Sequence, residues 1–471
     1  MAAILEAEKD YEARRKTWKY RWFGVEAKTT TKDAGPVVGE KTQKNPRASS
    51  LPEDGPPPTP IVQYHINQVP SNDPIEDRHS EHRLKNGVIM AVFDGHSGTE
   101  CADLLQTYLA PYISKALSEM SEPPPARKSE PLSNIEQWPP ATQARKAQVV
   151  QALKLAFRRL DADICNAAID PIPNPLPNDT WKNALRPALA GACAIVAYIE
   201  GNDLYVACTG DSRAVLGRHR GDGTFQALEL SADQTTTNPS EYARLLEEHP
   251  GEGETVVIRG RILGGLMPTR AFGDAIYKWA SDTKQTLGVI SKGRDALFKS
   301  PPYVTADPEV TYYHLNCDRD KCLILATDGI WDMLSSDQAV DLGGNWSFDD
   351  PNAATHLIRN ALGRGDRSLV AKLIRIPPPY ARRARDDMTA NVIFFSDGKN
   401  NGTFHPAVSM DTNGSNTTLN NSDLPTDKQG QAVDPFTPVD LSLAAPKKGR
   451  LSDWIQELKG IQEKLRREGR E

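Results

Sequence analysis

From residue 61 to residue 396, short apolar runs alternate with longer segments in which apolar side chains recur at helical spacing. The apolar runs predict strands at 87–93, 193–199, 204–208, 214–216, 310–315, 322–326 and 390–395. The first predicted strand stops at Asp94. The helical spacing predicts helices at 99–118, 147–169 and 241–248. The strands form hairpin-like groups with long helices between the groups, which predicts an α+β fold with antiparallel sheets.

The segments around this region differ in composition. Residues 1–60 are polar and end in a proline-rich stretch, which predicts a mostly disordered N-terminal arm. Residues 121–146 are rich in proline and charge and predict a surface insertion in the folded domain. Residues 397–445 lack apolar periodicity and predict a disordered linker. Residues 446–471 carry an apolar stripe that predicts a terminal amphipathic helix, which either contacts a partner or packs on its own domain.

Composition and charge narrow the class of protein. The 471 residues carry a formal net charge of −6 and no long basic run, which argues against nucleic-acid binding through bulk charge. The six cysteines are scattered without a Cys-x-x-Cys pair, which predicts buried, reduced thiols in an intracellular protein rather than a zinc ribbon. No apolar stretch approaches the roughly 18 residues that a membrane span requires. The N-terminus mixes basic with acidic side chains, and transit peptides usually avoid acids.

Four acidic segments, far apart in the chain, each adjoin an apolar run: 74–78, 92–98, 326–332 and 385–389. Carboxylates gathered at strand ends repel one another unless cations pair them, and hard divalent cations take oxygen ligands. Asp94 and Asp328 each follow a strand and precede a glycine, and a glycine such as Gly95 lets its carbonyl approach a metal closely. Asp386 precedes the last strand. One carboxylate that bridges two cations, with others that each hold one, is the two-metal geometry of phosphoryl hydrolases.

His96 lies two residues after Asp94, close to this predicted centre. It could protonate a departing alkoxide as a general acid, or it could be a turn histidine or a metal ligand. Hard cations prefer oxygen, so we favour the proton donor. Each motif alone has a simpler explanation: residues 76–78 could be a surface ion cluster, and residues 210–213 could be a hairpin turn. The motifs in this order are more specific than any one of them.

In this order the motifs resemble those of the type 2C, magnesium- or manganese-dependent Ser/Thr protein phosphatases. The matching segments are 75–78, 92–98, 209–215, 270–274, 326–332 and 386–389. The resemblance implies that residues 61–396 form a four-layer αββα sandwich that binds two Mg²⁺ or Mn²⁺ ions and acts on a phosphoprotein substrate. It implies that Asp94 bridges both ions and that the Gly95 carbonyl binds one. It implies that Asp328 and Asp386 bind the other.

The same resemblance gives roles to acids near the first motif. Glu76 and Asp77 would orient waters at the metals. Asp387 competes with Asp386 as a ligand, since a one-residue slip in a strand points the side chain the other way. Many type 2C enzymes carry an arginine four residues before the glutamate, where it grips the substrate phosphate, and this chain has Asn72 there. Asn72 is therefore a candidate phosphate contact, and we expect recognition of a large protein partner to supply more of the binding.

Finer features are similar to one branch of the family, the mitochondrial pyruvate dehydrogenase phosphatases: 71–74, 248–250, 265–270 and 301–309. They imply a phosphatase of phosphoserine in the pyruvate dehydrogenase complex, located in mitochondria, or in the cytoplasm if the N-terminus is complete as given. The alternatives are a phosphatase of the same mechanism on another intracellular substrate, and an inactive scaffold that binds partners. A scaffold should have lost a metal-binding carboxylate, and Asp94, Asp328 and Asp386 are all present.

Overall fold

The computed structural model describes residues 59–120, 140–166, 169, 180–289, 295–346, 352–396, 416–418 and 437–438. The predicted N-terminal arm, apart from its last two residues, and the predicted terminal helix lie outside the described residues. Most of the predicted insertion and of the predicted linker lie outside them as well. Two described segments within that linker, Asn416–Thr418 and Thr437–Pro438, are strands.

Fifteen strands are present in the described part of the chain. They are β1 (Ile61–Val69), β2 (Arg78–Arg83), β3 (Val88–His96), β4 (Gly191–Glu200), β5 (Asp203–Thr209), β6 (Arg213–His219), β7 (Phe225–Glu229), β8 (Val257–Ile258), β9 (Arg261–Ile262), β10 (Phe272–Gly273), β11 (Glu309–His314), β12 (Asp320–Ala326), β13 (Met388–Phe395), β14 (Asn416–Thr418) and β15 (Thr437–Pro438).

The α-helices of the described residues lie between these strands in the chain. They are α1 (Glu100–Glu119), α2 (Pro140–Asn166), α3 (Thr180–Leu189), α4 (Pro239–Glu248), α5 (Ser281–Leu287), α6 (Asp328–Trp331), α7 (Ser336–Gly344), α8 (Ala353–Gly363) and α9 (Arg367–Ile374). Two short 3₁₀ helices are Ala275–Tyr277 and Tyr380–Arg383. In the described part of the chain, no helix combines the length and the apolar character that crossing a membrane requires.

Two large sheets form the centre of the fold. The first sheet has the strand order β14-β1-β13-β12-β6-β7, and its neighbours pair antiparallel. The second sheet has the order β11-β5-β4-β3-β2-β15, with β10 beside β4. Its pairs are antiparallel except for β15, which runs parallel to β2. The prediction of an α+β fold with antiparallel sheets is confirmed.

One hydrophobic core lies between the two sheets, and a further core lies between each sheet and the helices on its outer face. Val88, Met90 and Val92 of β3 belong to a buried cluster with Leu323 of β12 and Ile393 of β13, which lie in the other sheet. Because successive side chains of a strand point to opposite faces, the intervening residues of β3 point outward, where they pack with α1 and α2. On the other side, buried residues of β12 and β13 pack with α7 and α8. The result is the four-layer αββα arrangement.

Several element boundaries differ from the predictions. Strand β3 does not stop at Asp94 but continues to His96, which pairs with Gly191 of β4. Since alternate residues of a strand share a face, Asp94 and His96 lie on the same face as Val92, at the end of the inter-sheet core. The second long helix begins at Pro140 rather than at residue 147, within the predicted insertion. The six cysteines are buried and unbonded, as predicted.

Candidate metal centre

Three aspartates from distant parts of the chain meet at the end of the inter-sheet core. Asp94 lies near the end of β3, Asp211 lies in the turn between β5 and β6, and Asp328 begins α6 just after β12. One carboxylate oxygen from each lies within 4.8 Å of the others. Asp211 is buried, and the other two are partly buried. A converging set of carboxylate oxygens suits a hard divalent cation.

Glycines next to two of these aspartates allow the surrounding backbones to come close. A Cβ atom on Gly95 would lie 2.3 Å from the carbonyl oxygen of Glu76. A Cβ atom on Gly329 would lie 2.1 Å from the carbonyl oxygen of Asp387. Any larger residue at either position would push the two backbones apart, because real Cβ atoms do not approach so closely. The Asp-Gly pairs therefore draw two further acidic segments against the aspartate cluster.

The cluster is electrostatically unfavourable without a cation. Burial, followed by the negative charges of Asp328 and Asp77, raises the pKa of Asp94 well above its usual range. Burial and the nearby Asp211 raise the pKa of Asp328 to about 7. The pKa of Asp211 is also raised, mainly by burial, although the thiol of Cys193 and the charge of His96 oppose the rise. A bound dication would relieve both causes, since it replaces water around the carboxylates and neutralises their repulsion.

Asp77 lies beside this cluster and has one unused oxygen. Its side chain is 1% exposed, and its Oδ2 accepts hydrogen bonds from the hydroxyls of Thr327 (3.1 Å) and Thr389 (2.6 Å). Its Oδ1 is buried and has no hydrogen-bond partner among the described residues. Burial and the charge of Asp387 raise the pKa of Asp77 well above its usual range. A buried carboxylate oxygen without a partner is costly, so this atom fits a site that holds a metal and its waters.

Asp387 anchors the loop that precedes Asp77. It is 3% exposed and accepts hydrogen bonds from the backbone N–H groups of Ser71, Asn72 (2.9 Å) and Glu76 (2.8 Å). The Asn72 side-chain amide donates to Glu76 Oε2 and to Asp387 Oδ2, both at 3.0 Å. Both N–H groups of the amide are thus engaged with carboxylates. The carboxylate of Asp387 therefore accepts hydrogen bonds from the backbone of the loop. Asn72 positions the side chains of Glu76 and Asp387.

Glu76 connects this loop to the turn after β3. Its Oε1 accepts a hydrogen bond from the backbone N–H of Gly98 at 2.6 Å. The intervening Ser97 has a positive φ of 62°, a conformation that non-glycine residues adopt only under strain. Burial raises the pKa of Glu76, and the charge of Asp387 adds to the rise, while the Gly98 N–H and the charges of His96 and Arg382 oppose it. Glu76 therefore fixes the turn that directly follows the predicted proton donor, His96.

Asp386 lies at the edge of the site. It does not belong to the group of three aspartates, and its side chain is 32% exposed. Its Oδ1 forms an ion pair with Nη1 of Arg382 and accepts the backbone N–H of Asp387 at 2.7 Å. The side chain of Asp386 is thus more accessible than that of Asp387. Its predicted role as a ligand remains a prediction.

His96 pairs with an acid of the motif at residues 270–274. Its Nε2 lies 2.7 Å from Oδ2 of Asp274, a residue that is 3% exposed. Burial by itself lowers the pKa of His96, but the charge and hydrogen bond of Asp274 outweigh burial and raise it. A Cβ atom on Gly191 would lie 2.2 Å from His96 Nε2, so glycine on β4 is required for this pair. The arrangement favours a protonated imidazole close to the aspartate cluster.

The structure adds one candidate ligand that the sequence analysis did not select. Residues 210–213 were interpreted as a turn, and they are one, between β5 and β6. Asp211 within that turn nevertheless contributes an oxygen to the cluster. The signal was available: Asp211 follows an apolar run and lies next to a glycine, as Asp94 does.

Comparison with known proteins identifies the family to which the chain belongs. The family model for Protein phosphatase 2C matches residues 73–368. A protein phosphatase 2C homolog of Schizosaccharomyces pombe is 35% identical over 401 residues, covering 77% of this chain and 86% of the relative. The human pyruvate dehydrogenase (acetyl-transferring) phosphatase 1, mitochondrial, is 34% identical over 450 residues, covering 77% of this chain and 83% of the relative.

Two further matches complete the comparison. The mitochondrial pyruvate dehydrogenase (acetyl-transferring) phosphatase 1 of Saccharomyces cerevisiae is 30% identical over 414 residues, covering 72% of this chain and 69% of the relative. The solved structure of a serine-threonine phosphatase 2C from Toxoplasma gondii matches with a TM-score of 0.46 and 18% identity, over 72% of this chain and 97% of that chain. The family match and the curated relatives show that the chain belongs to the protein phosphatase 2C family of protein Ser/Thr phosphatases.

Proposed function

We propose that the protein removes phosphate from phosphoserine or phosphothreonine of pyruvate dehydrogenase (acetyl-transferring), in mitochondria, with two Mg²⁺ or Mn²⁺ ions. The convergence of Asp94, Asp211 and Asp328 beside Asp77, whose Oδ1 has no hydrogen-bond partner among the described residues, carries the catalytic part of this proposal. The substrate and the location rest on the names of relatives that are 30–34% identical over at least 72% of the chain.

Of the proposed ligands, one would contact both ions and the others would each contact a single ion. Asp94 would contact both ions, and the Gly95 carbonyl would bind one of them. Asp328 and Asp386 would bind the other, with Asp211 as an added ligand. When bound, two divalent cations lower the pKa of a water molecule and neutralise the charge of a phosphoryl group. Asp77 offers its free Oδ1 as a hydrogen-bond acceptor for such a water, and Glu76 holds the neighbouring turn.

His96 completes the proposed mechanism as a proton donor. Its hydrogen bond to Asp274 raises the pKa of the imidazole and orients the ring. Transfer of a proton from the imidazolium to the departing serine oxygen would avoid release of a strongly basic alkoxide. Good leaving groups depart without a proton, whereas a serine alkoxide does not.

This role predicts an effect that depends on the leaving group. We expect His96→Ala to reduce kcat by about 100-fold or more for a phosphoserine peptide. The same variant should lose much less activity on p-nitrophenyl phosphate, whose leaving group is a weak base. Steady-state kinetics on both substrates, with His314→Ala on the exposed edge of β11 as the control, measures the difference. An equal loss on the two substrates would argue against proton donation.

The proposed substrate is tested by comparison with other phosphoproteins. Purified full-length protein with Mg²⁺ or Mn²⁺ is given phosphorylated pyruvate dehydrogenase and a panel of unrelated phosphoproteins, and released phosphate is measured. We expect a clear preference in kcat/KM for pyruvate dehydrogenase. Equal rates across the panel would favour the alternative, a phosphatase of the same mechanism on another intracellular substrate. No turnover with either ion, together with stoichiometric binding of a partner, would favour the inactive scaffold.

The location is tested separately. The tagged full-length chain is expressed in cells and imaged together with a mitochondrial marker. Overlap with the marker is expected, and a diffuse cytoplasmic signal would contradict a mitochondrial substrate. This experiment does not depend on catalysis, so it separates the question of substrate from that of mechanism.

A further inference from the structure

A site built from carboxylates needs positive charge to hold a phosphate dianion. Asn72 was the candidate phosphate contact, but both N–H groups of its amide donate to Glu76 and Asp387. The remaining polar atom of the side chain is Oδ1, which accepts hydrogen bonds and would repel a phosphate. The positive charge must therefore come from a cationic side chain at the edge of the site.

Arg382 lies at this edge, in contact with Asp386. It lies in the short 3₁₀ helix Tyr380–Arg383, and its side chain is 49% exposed. Its Nη1 contacts Asp386, and its charge lowers the pKa of both Glu76 and Asp328. An arginine that acts on acids from two different acidic segments lies close to both of them. The contact with Asp386 uses one of three guanidinium nitrogens, and among the described residues Asp386 is its contact partner.

The neighbouring arginines differ from Arg382. Arg385 is 9% exposed, and its guanidinium donates to the carbonyl oxygens of Pro70 and Ile376, which ties two loops together. Arg383 is exposed, like Arg382, but the largest influences on the pKa values of Glu76 and Asp328 include Arg382 and not Arg383. Of the three, Arg382 combines exposure with proximity to the acids. Arg383 is therefore a matched control.

We propose that Arg382 is the side chain that grips the phosphate of the substrate, in an anion subsite beside Asp386. The inference rests on the proposed function, because it assumes that a phosphate group enters the site. A guanidinium presents parallel N–H donors that match two phosphate oxygens. Its contact with Asp386 holds the guanidinium at the edge of the cluster, where it faces both solvent and the acids. The subsite supplies the fixed positive charge that Asn72 does not.

The test compares phosphate affinity in matched variants. We expect Arg382→Ala to weaken inhibition by inorganic phosphate, and to raise KM for a phosphoserine peptide, by about 10- to 100-fold. Arg382→Lys should recover only part of the affinity, because an ammonium cannot form the two parallel hydrogen bonds. Arg383→Ala should resemble the unchanged protein. Calorimetric titration of inorganic phosphate into the Mg²⁺-loaded protein gives the same comparison without catalysis.

Two further readouts separate phosphate binding from other roles. If Arg382 only neutralises Asp386, its removal should change the calorimetric affinity for Mg²⁺ and leave the phosphate inhibition constant unchanged, which would overturn the inference. If Arg382→Ala and Arg383→Ala give the same phosphate affinity, the inference also fails while the proposed function stands. If the unchanged protein hydrolyses no phosphopeptide, the proposed function itself fails. Thermal unfolding of each variant confirms that the fold is intact.

Discussion

Asp94→Asn is expected to reduce the hydrolysis of p-nitrophenyl phosphate with Mn²⁺ by more than about 100-fold while the protein remains folded. Loss of a group that merely supports a metal ligand already costs about 10- to 100-fold, and Asp94 is proposed to contact both ions directly. Asparagine has nearly the same shape as aspartate but carries no charge. The fold should survive, because the substitution removes a buried carboxylate whose pKa is raised well above its usual range by burial and repulsion.

The control for this variant is an aspartate of the same type outside the site. Asp318 is exposed in the turn before β12, and Asp318→Asn should keep the activity of the unchanged protein. Circular dichroism and thermal unfolding establish that both variants are folded. Activity in Asp94→Asn close to that of Asp318→Asn would show that the catalytic centre lies elsewhere.

Asp328→Asn is expected to stabilise the metal-free protein and at the same time abolish catalysis. Burial and the charges of Asp211 and Asp332 raise the pKa of Asp328 from 3.8 to about 7 in the folded state. The folded protein therefore binds this proton more tightly than the unfolded chain does. The stability contributed by the protonated form is fully present below pH 4 and is lost as the pH rises towards 7. Asparagine cannot ionise, so the loss is absent in the variant.

The size of this effect follows from the pKa shift, reduced for partial exposure and for coupling to the neighbouring acids. At pH 7.5 and without metal, we expect the free energy of unfolding to rise by on the order of 1–3 kcal/mol in Asp328→Asn. Added Mg²⁺ should raise the melting temperature of the unchanged protein but not that of the variant. Scanning calorimetry with and without metal, at pH 5 and pH 7.5, tests both statements. A variant that is less stable than Asp318→Asn without metal at pH 7.5 would contradict them.

The sequence predicted the positions of those aspartates that directly follow an apolar run typical of a strand. Asp94 and Asp328 follow apolar runs, and the runs were correctly assigned as β3 and β12. The continuation of β3 to His96 was not predictable from local propensity, because it depends on pairing with Gly191, far along the chain. Because the strand continues to His96, the His96 side chain lies on the same face of the sheet as Asp94. Local sequence thus located the acids, and long-range pairing set their directions.

Strand β1 and helix α7 were not predicted from the sequence, for different reasons. Strand β1 contains the polar residues His65 and Asn67, which hide its strand character. Both are buried and form hydrogen bonds with α8. His65 Nδ1 accepts a hydrogen bond from the Ala353 N–H at 3.0 Å, and the Asn67 amide donates one to the Thr355 hydroxyl at 2.7 Å. Such cross-element hydrogen bonds leave no trace in the pattern of a single segment. Helix α7, by contrast, begins with a capping box at residues 335–338, a signal that the sequence did contain.

The proposed function requires that these separate carboxylates form one site for a pair of divalent cations. Calorimetric titration of Mg²⁺ and of Mn²⁺ into the metal-free full-length protein at pH 7 tests it directly. We predict uptake of two ions per chain, with release of protons from the aspartates as the ions bind, and loss of this uptake in Asp94→Asn. The absence of binding of either ion, or the same binding in Asp94→Asn as in the unchanged protein, would contradict it.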